Sequence, residues 1–600
     1  MTATGTGATE SRSAVNTRGL FYDAAAVLGI TALAALVSQP WTGVNSPDSE
    51  FYASLALFGD QVASRALDAA YLWTRLGYIV PVRGLVTTFD PWIGFEVWRW
   101  LLIALIVGAT YLSVRLVAGR WLATVAATLV ALSTMVLGFV GNTYLTGTIL
   151  AATWLLIAAG CLGCADRLAA RWQWIPALVA GASCGWLLML NPYALGLGGS
   201  LWVGIRVVQL GAVGAVGAVG AVGPQRWRKL GRDIGLLIVG AAVSAGVLLL
   251  AGLAIFPGRN WLQTYLDWNS RLDYTVFVGD PLIWQRDIAL LVPVLAVPIA
   301  LVALWASRNS RWAWVSLSLA TMNLAFTAVF MLAVPGPWLE AQHYVAKLWP
   351  AALMAIVLAF AAVLPEVSWS LRPTWVGPAA VVTGLGIGIP AMLWSGRWEL
   401  TLSMAQGVAL SAVALLGAAI SFLLARSAGS TRGATPIIVV FALVLVFVCA
   451  QLLQNGRGAL GIYRQYPLRA AYVDYQMREQ MASKIALEQW LLARTTDSDR
   501  IGLWTDPERL TGEVAAMQLW GYYNLISTNP TLTRDESKIL ERIRPSAIAM
   551  YAPTRPQIET FAASLPPWGR PSELECTSQP FLGIGSEQAW LCLTHLRWVG

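Results

Sequence analysis

The chain repeats one device, an apolar run of roughly twenty residues closed by a short segment carrying arginine. A run that long satisfies its own backbone as a helix and matches the thickness of a bilayer. A chain with many of them is therefore a bundle of spanning helices. The runs fall at roughly 21–39, 97–116, 121–140, 145–163, 174–191, 194–210, 233–256, 286–306, 312–334, 348–364, 375–394, 406–425 and 435–454, about thirteen in all. Only 12% of the residues are charged, where a soluble domain carries about a quarter. The reading is a polytopic α-helical membrane protein, with a membrane module over 1–454 and a soluble tail over 455–600. The two segments on either side of Asn191-Pro192 also read as one broken helix.

The arginines decide orientation. With the N-terminus in the cytoplasm, the inner loops hold Arg115 and Arg120; Arg167 and Arg171; Arg226, Arg228, Lys229 and Arg232; Arg308 and Arg311; Arg372; Arg426 and Arg432. That is the bias expected of cytoplasmic loops. The alternate loops, 40–96, 257–285, 335–347 and 395–405, are longer and mixed or acidic, and the tail then lies outside. The net charge of +8 is accounted for by these loops, so it does not point to nucleic acid. The first apolar run lacks a small-residue cleavage site and reads as a retained helix. The Gly-Ala-Val repeat over 211–223 extends a helix or serves as a linker, and no function is assigned to it.

In the tail, charge rises and the pattern changes. An amphipathic helix over 480–492, strands at 501–504 and 547–551, and helices over 535–543 and 556–565 imply a small α/β domain. Cys576 and Cys592 flank its last strands, and an outside location makes them a disulfide. Cys161 and Cys164 form a CxxC at the end of an apolar helix, where small packing residues are the better reading.

Chemistry concentrates where charge meets the outer ends of the spans. Asp48-Ser49-Glu50 follows the first span. Pro47 after Ser46 suits a helix start, and first-turn carboxylates complement the helix dipole. Phe51, Leu55 and Phe58 fall at helical spacing, so 47–59 reads as an interfacial helix. The enclosing loop exceeds fifty residues, longer than most helix connections. Arg75 and Tyr78 form a second interfacial stretch, and Asn142 and Tyr144 an outer turn. No His/Cys/carboxylate cluster has strong metal spacing, and no phosphate-binding glycine loop occurs in the right setting.

These features resemble the GT-C superfamily of membrane glycosyltransferases, in particular the branch of protein O-mannosyltransferases and the lipid A aminoarabinose transferase. Asp48-Ser49-Glu50 matches that superfamily's acidic motif in the first extracytoplasmic loop, although its carboxylates are not adjacent. His343-Tyr344-Val345-Ala346-Lys347-Leu348-Trp349-Pro350-Ala351-Ala352-Leu353 resembles its (R/H)-Y-x-x-x-x-x-P-A-L-like start of a late helix. The loop 257–285, ending Gly279-Asp280-Pro281-Leu282, resembles the long loop those enzymes place over the lipid. The resemblance implies a GT-C fold and an inverting enzyme that moves a sugar from polyprenyl phosphate to an acceptor hydroxyl. It would act on the outer face of the cytoplasmic membrane, in envelope glycan or glycolipid assembly.

On that reading Asp48 is the general base, since a hydroxyl is a poor nucleophile until a carboxylate takes its proton. Glu50 orients the acceptor or holds a divalent cation; no cofactor is otherwise implied. The leaving phosphate gains charge and needs cations, for which His343, Lys347, Arg271 and Arg259 are the candidates. Tyr344, Arg75 and Tyr52 complete the substrate-binding set. The sugar, whether arabinofuranose, mannose or another, stays open, as does a glycan, glycolipid or protein acceptor. Two rivals remain: a flippase or transporter of lipid-linked sugars, and an anchored protein whose tail does the recognising.

Overall fold

The computed structural model describes residues 17–37, 47–64, 70–140, 145–164, 170–211, 224–271, 292–307, 310–334, 336, 342–363, 481–483, 485–505, 524–527, 529, 531–565, 573–578, 581–582 and 588–598. The expected spans at 375–394, 406–425 and 435–454, the turn with Asn142 and Tyr144, and the module boundary at 454 lie outside these residues.

Helix α1 (Thr17–Val37) is held at both ends by polar side chains. Asp23 accepts from Arg120 Nε and the Tyr111 hydroxyl, each at 2.6 Å. Near its other end Arg99 Nη1 donates to the Ala35 carbonyl at 2.8 Å, and Glu96 neutralises Arg99. Next in the described residues come α2 (Pro47–Phe58), α3 (Asp60–Ala63), a 3-10 turn (Ala70–Thr74) and α4 (Leu76–Thr88). Phe51 through Ala56 are all buried, so α2 is enclosed, not laid on an interface as its apolar stripe suggested. Arg83 of α4 explains where α2 stops, donating to the Ala56 and Leu57 carbonyls at 3.0 Å each. Gly59 then turns the chain at φ +61°, a conformation cheap only for glycine.

Asp90 caps the next helix, α5 (Pro91–Val117), by accepting from Trp92 N at 3.1 Å, with Pro91 at the first helical position. The single span expected over 121–140 is instead α6 (Arg120–Ala131) and α7 (Thr134–Val140). Ser133 causes the break. Its hydroxyl bonds the Val130 carbonyl and accepts from Val136 N, ending one helix and capping the next. After α8 (Thr146–Cys164), the segments around Asn191-Pro192 are two helices, α9 (Ile175–Leu190) and α10 (Pro192–Gly211). Asn191 caps α10 by accepting from Tyr193 N at 2.9 Å.

Helix α11 (Pro224–Ile255) begins earlier than the expected 233–256 span, so Arg228, Lys229 and Arg232 ride on it. It packs along α9 where Gly181 and Gly185 leave room; a Cβ at either would run into the carbonyl of Leu237 or Ala241. Near this seam Arg206 of α10 and Asp233 form a buried ion pair at 2.9 Å. Next come α12 (Trp261–Arg271), α13 (Val292–Ala306), α14 (Arg311–Ala333) and α15 (Gln342–Val363). Helix α15 starts before the expected 348, so His343, Tyr344 and Lys347 lie on the helix itself. Helices α14 and α15 run antiparallel, latched by Asn323 Nδ2 to the Leu348 carbonyl (2.8 Å) and Ser316 Oγ to the Ala355 carbonyl (2.6 Å). Among the described residues six helices are long and apolar enough to cross a membrane, within α1, α5, α8, α11, α14 and α15.

The C-terminal region carries β1 (Ile501–Thr505), β2 (Asn524–Ser527), α16 (Arg534–Ile543), β3 (Ala547–Ala552), α17 (Arg555–Ala563), β4 (Glu575–Cys576), β5 (Phe581–Leu582) and β6 (Gln588–His595). The sheet order is β2-β1-β3-β6-β4, with β5 on β6; β1, β2 and β3 are parallel and β6 antiparallel. Leu487 and Leu491 of the helical residues 485–492 cover one face, and Phe561 of α17 stacks on Trp504 on the other. Cys576 and Cys592 stand opposite each other in β4 and β6 and are joined by a disulfide.

Candidate functional site

Pro47 opens α2, so Asp48 and Glu50 occupy its first turn. The side chains of Asp48, Glu50, Arg271 and His343 lie outside the described residues. One turn after Asp48 comes Tyr52, fully enclosed, its ring 5.9 Å from that of Tyr78 on α4. Tyr78 in turn sits one turn beyond Arg75, donating its N–H to the Arg75 carbonyl at 3.0 Å. These steps carry the acidic turn, Tyr52, Tyr78 and Arg75 into one neighbourhood.

The segment 257–271 closes against it. Trp261 Nε1 donates to the Thr74 carbonyl at 2.7 Å, and Trp261 and Tyr265 stack at 5.6 Å. The Arg75 guanidinium lies 5.7 Å from the Tyr265 ring centroid. Arg259, expected at the phosphate, has a different contact: its Nε donates to Asp60 at 2.6 Å and ties the segment to α3.

The fourth wall is α15. Lys347 is 3% exposed, its ammonium 4.0 Å from the Tyr344 ring centroid and 5.7 Å from that of Tyr193. Among the described residues no carboxylate pairs with it, and Arg75 is near enough for its charge to act on it. Buried cations are ordinarily paired; here aromatic faces supply only a cation–π attraction of about 0.5–2 kcal/mol. Tyr193 is also the second residue of α10, so Lys347 stands beside the positive end of that helix. The Lys347 ammonium thus meets ring faces and no carboxylate among the described residues, a setting that favours an anion. Of the expected residues, Tyr52 and Arg75 are joined by way of Tyr78, and Tyr344 and Lys347 lie in contact on α15. Among the described residues no three His, Cys, Asp or Glu side chains gather as a metal set.

Sequence reasoning missed Tyr193. The signal was present, since Asn191-Pro192 is a helix-start pair and fixes Tyr193 in the first turn of α10. Nothing local gave the partner of Arg259, which lies 199 residues earlier.

No protein-family model matches the chain, and no curated protein matches it. Its fold matches that of ArnT from Cupriavidus metallidurans in the apo state, with a TM-score of 0.50 and 13% identity over 96% of this chain and 98% of that one. ArnT bound to undecaprenyl phosphate aligns over the same shares at 13% identity and a TM-score of 0.47. The archaeal oligosaccharyltransferase AglB from Archaeoglobus fulgidus, in complex with an inhibitory peptide and a dolichol-phosphate, aligns at 0.46, with 10% identity over 91% of this chain and 71% of that one. This chain therefore shares the fold of ArnT, and six of its described helices are long and apolar enough to cross a membrane.

Proposed function

We propose that this GT-C-fold protein is an inverting glycosyltransferase that moves a sugar from a polyprenyl-phosphate donor to an acceptor hydroxyl on the outer face of the cytoplasmic membrane. The observation that carries the reading is Lys347, an enclosed ammonium lying against the Tyr344 and Tyr193 rings with no carboxylate partner among the described residues. A lipid phosphate supplies the missing charge, and the surrounding spans suit its isoprenoid chain.

The reaction balances on these groups. The acceptor oxygen bonds the anomeric carbon as the bond from that carbon to the phosphate oxygen breaks. The bonding pair leaves on the phosphate, and the acceptor proton passes to the Asp48 carboxylate. Attack from the face opposite the phosphate inverts the anomeric centre. The products are a glycoside and polyprenyl phosphate, whose added negative charge Lys347 and Arg75 stabilise. Tyr52, one turn after Asp48, packs on Tyr78, which supports putting the acidic turn near Arg75. The acceptor is a glycan, glycolipid or protein hydroxyl.

Asp48→Asn should abolish transfer while donor binding persists, measured as glycosidic product and as undecaprenyl phosphate affinity in detergent. Transfer at the wild-type rate would remove Asp48 from the mechanism. One observation favours the transport reading, the buried Arg206–Asp233 pair at the inner end of the bundle, since intramembrane charges often line transport paths. Lipid-linked sugar crossing the bilayer with no glycosidic product would establish that reading instead.

A further inference from the structure

Helix α11 is longer than a bilayer requires. Its 32 residues span about 48 Å at 1.5 Å per residue, against a hydrocarbon core of about 30 Å. Counting from Arg228, helical spacing puts Arg232, Gly235, Val239, Val243, Leu250 and Leu253 on one face. The four apolar side chains among them are all exposed, and so are Arg228 and Arg232 at the foot. A face that is apolar along its length and cationic at one end is a lipid-facing one. The single acid of α11 does not cancel those cations. Asp233 is 2% exposed, drawn inward by Arg206 of α10 at 2.9 Å. It also holds Arg232 at 3.1 Å, while that guanidinium stays half exposed. Among the described residues no carboxylate pairs with Arg228. One turn above Arg232, Gly235 has nothing within 4 Å of where a Cβ would stand, which leaves a notch between the cations and Val239.

Helix α9 brings aromatic rings to the same depth. The close pairs Gly181–Leu237 and Gly185–Ala241 advance together, so α9 and α11 run parallel. Seven residues before the first pair, Trp174 stands level with Leu230. Trp172 and Trp174 are exposed, their rings 6.5 Å apart, and the Arg171 guanidinium lies 5.5 Å from the Trp172 ring centroid. Exposed Trp beside Arg marks headgroup depth. The other end of α11 is elsewhere: Ile255 lies against Gly59, about 40 Å from Arg228 by helix rise, so this foot is separate from the proposed donor site and does not rest on it. A soluble anion would answer the arginines and leave Val239 and Val243 uncovered. A phospholipid carries the anion and the apolar chains in one molecule. We propose that the foot of α11 docks an anionic phospholipid, its headgroup on Arg228 and Arg232, its glycerol in the notch at Gly235 and its acyl chains along Val239 and Val243.

Lipid association is measured on the purified full-length protein in mixed micelles, with phosphatidylglycerol and phosphatidylcholine of identical acyl chains as probes. The wild type should prefer phosphatidylglycerol. Arg228→Gln and Arg232→Gln should each cut that preference about fivefold, the scale of one cation near an anionic surface. Arg311→Gln, in another of the arginine-bearing loops, should leave it unchanged. Gly235→Leu fills the notch without altering charge and should weaken phosphatidylglycerol about fourfold, the scale of one displaced methylene, at an unchanged melting temperature. Inorganic phosphate should not compete. No preference in the wild type overturns the proposal. Equal losses in all three arginine variants overturn it in favour of a general surface charge, and full binding by Gly235→Leu overturns the notch and the site with it. Displacement by inorganic phosphate would make the arginines a free-anion site. A dimer that Gly235→Leu dissociates would put a second copy on this face in place of lipid. Either result also overturns the proposal.

Discussion

Replacing Lys347 with methionine separates the function of this side chain from its contribution to the fold. Methionine matches its length and can lie on the Tyr344 face, so the enclosed volume is conserved. The lost term is electrostatic. At roughly 4–5 Å and an effective dielectric of about 20, an ammonium–phosphate attraction is worth about 3–4 kcal/mol. Truncating one partner of a buried charge pair costs about 2–5 kcal/mol by measurement elsewhere. The expected loss in kcat/KM is therefore about thirty- to a thousandfold, each factor of ten being about 1.4 kcal/mol. Stability should move the other way. Without donor, the ammonium is an enclosed charge with no carboxylate partner among the described residues, so its removal relieves a desolvation cost and Tm should hold or rise. The assay is transfer from labelled donor in proteoliposomes, with a thermal melt of the same preparation. A kcat/KM within threefold of wild type, or a loss of activity matched by a fall in Tm, would refute the reasoning.

Two further outcomes test the fold. Burial pushes the Asp499 carboxyl up, but the Thr496 N–H, the Ser546 and Thr496 hydroxyls and the charge of His595 outweigh it and hold it below its ordinary 3.8. Its contribution is thus present above about pH 4 and lost as pH falls through the folded value. Asp499→Asn should lower the unfolding midpoint of the C-terminal region at pH 7 and flatten its decline below pH 4, and unchanged acid sensitivity would contradict this. Gly181→Val should cost about 1–3 kcal/mol by forcing α9 from α11, seen as a lower melting midpoint in detergent. Gly246→Ala, with open space around it, should instead gain up to about 1 kcal/mol.

The apolar runs were legible because spanning length is a local property, and α8, α9 and α10 fall within a few residues of where hydropathy put them. Capping chemistry was less legible. Ser133 divides an uninterrupted apolar stretch, and only its hydroxyl bonds reveal the break. The helix over 47–59 was legible as an interfacial one, but not its enclosure or its end, since Arg83, which stops α2, comes from α4. At the candidate site, Lys347 and Tyr344 were singled out through one short motif, and Arg75 through its place beyond a span. Tyr193 looked like an ordinary member of an apolar helix, since its ring contact with Lys347 arises only on folding.

The contact between Asp60 and Arg259 also has a consequence for biogenesis. At ordinary elongation rates the ribosome needs about 10–40 s to travel from one partner to the other, a separation of 199 residues. Throughout that interval the acidic turn and its neighbours exist with their tether still unmade. A nascent chain halted short of residue 259 leaves them unclasped, whereas one carried past it gains the clasp.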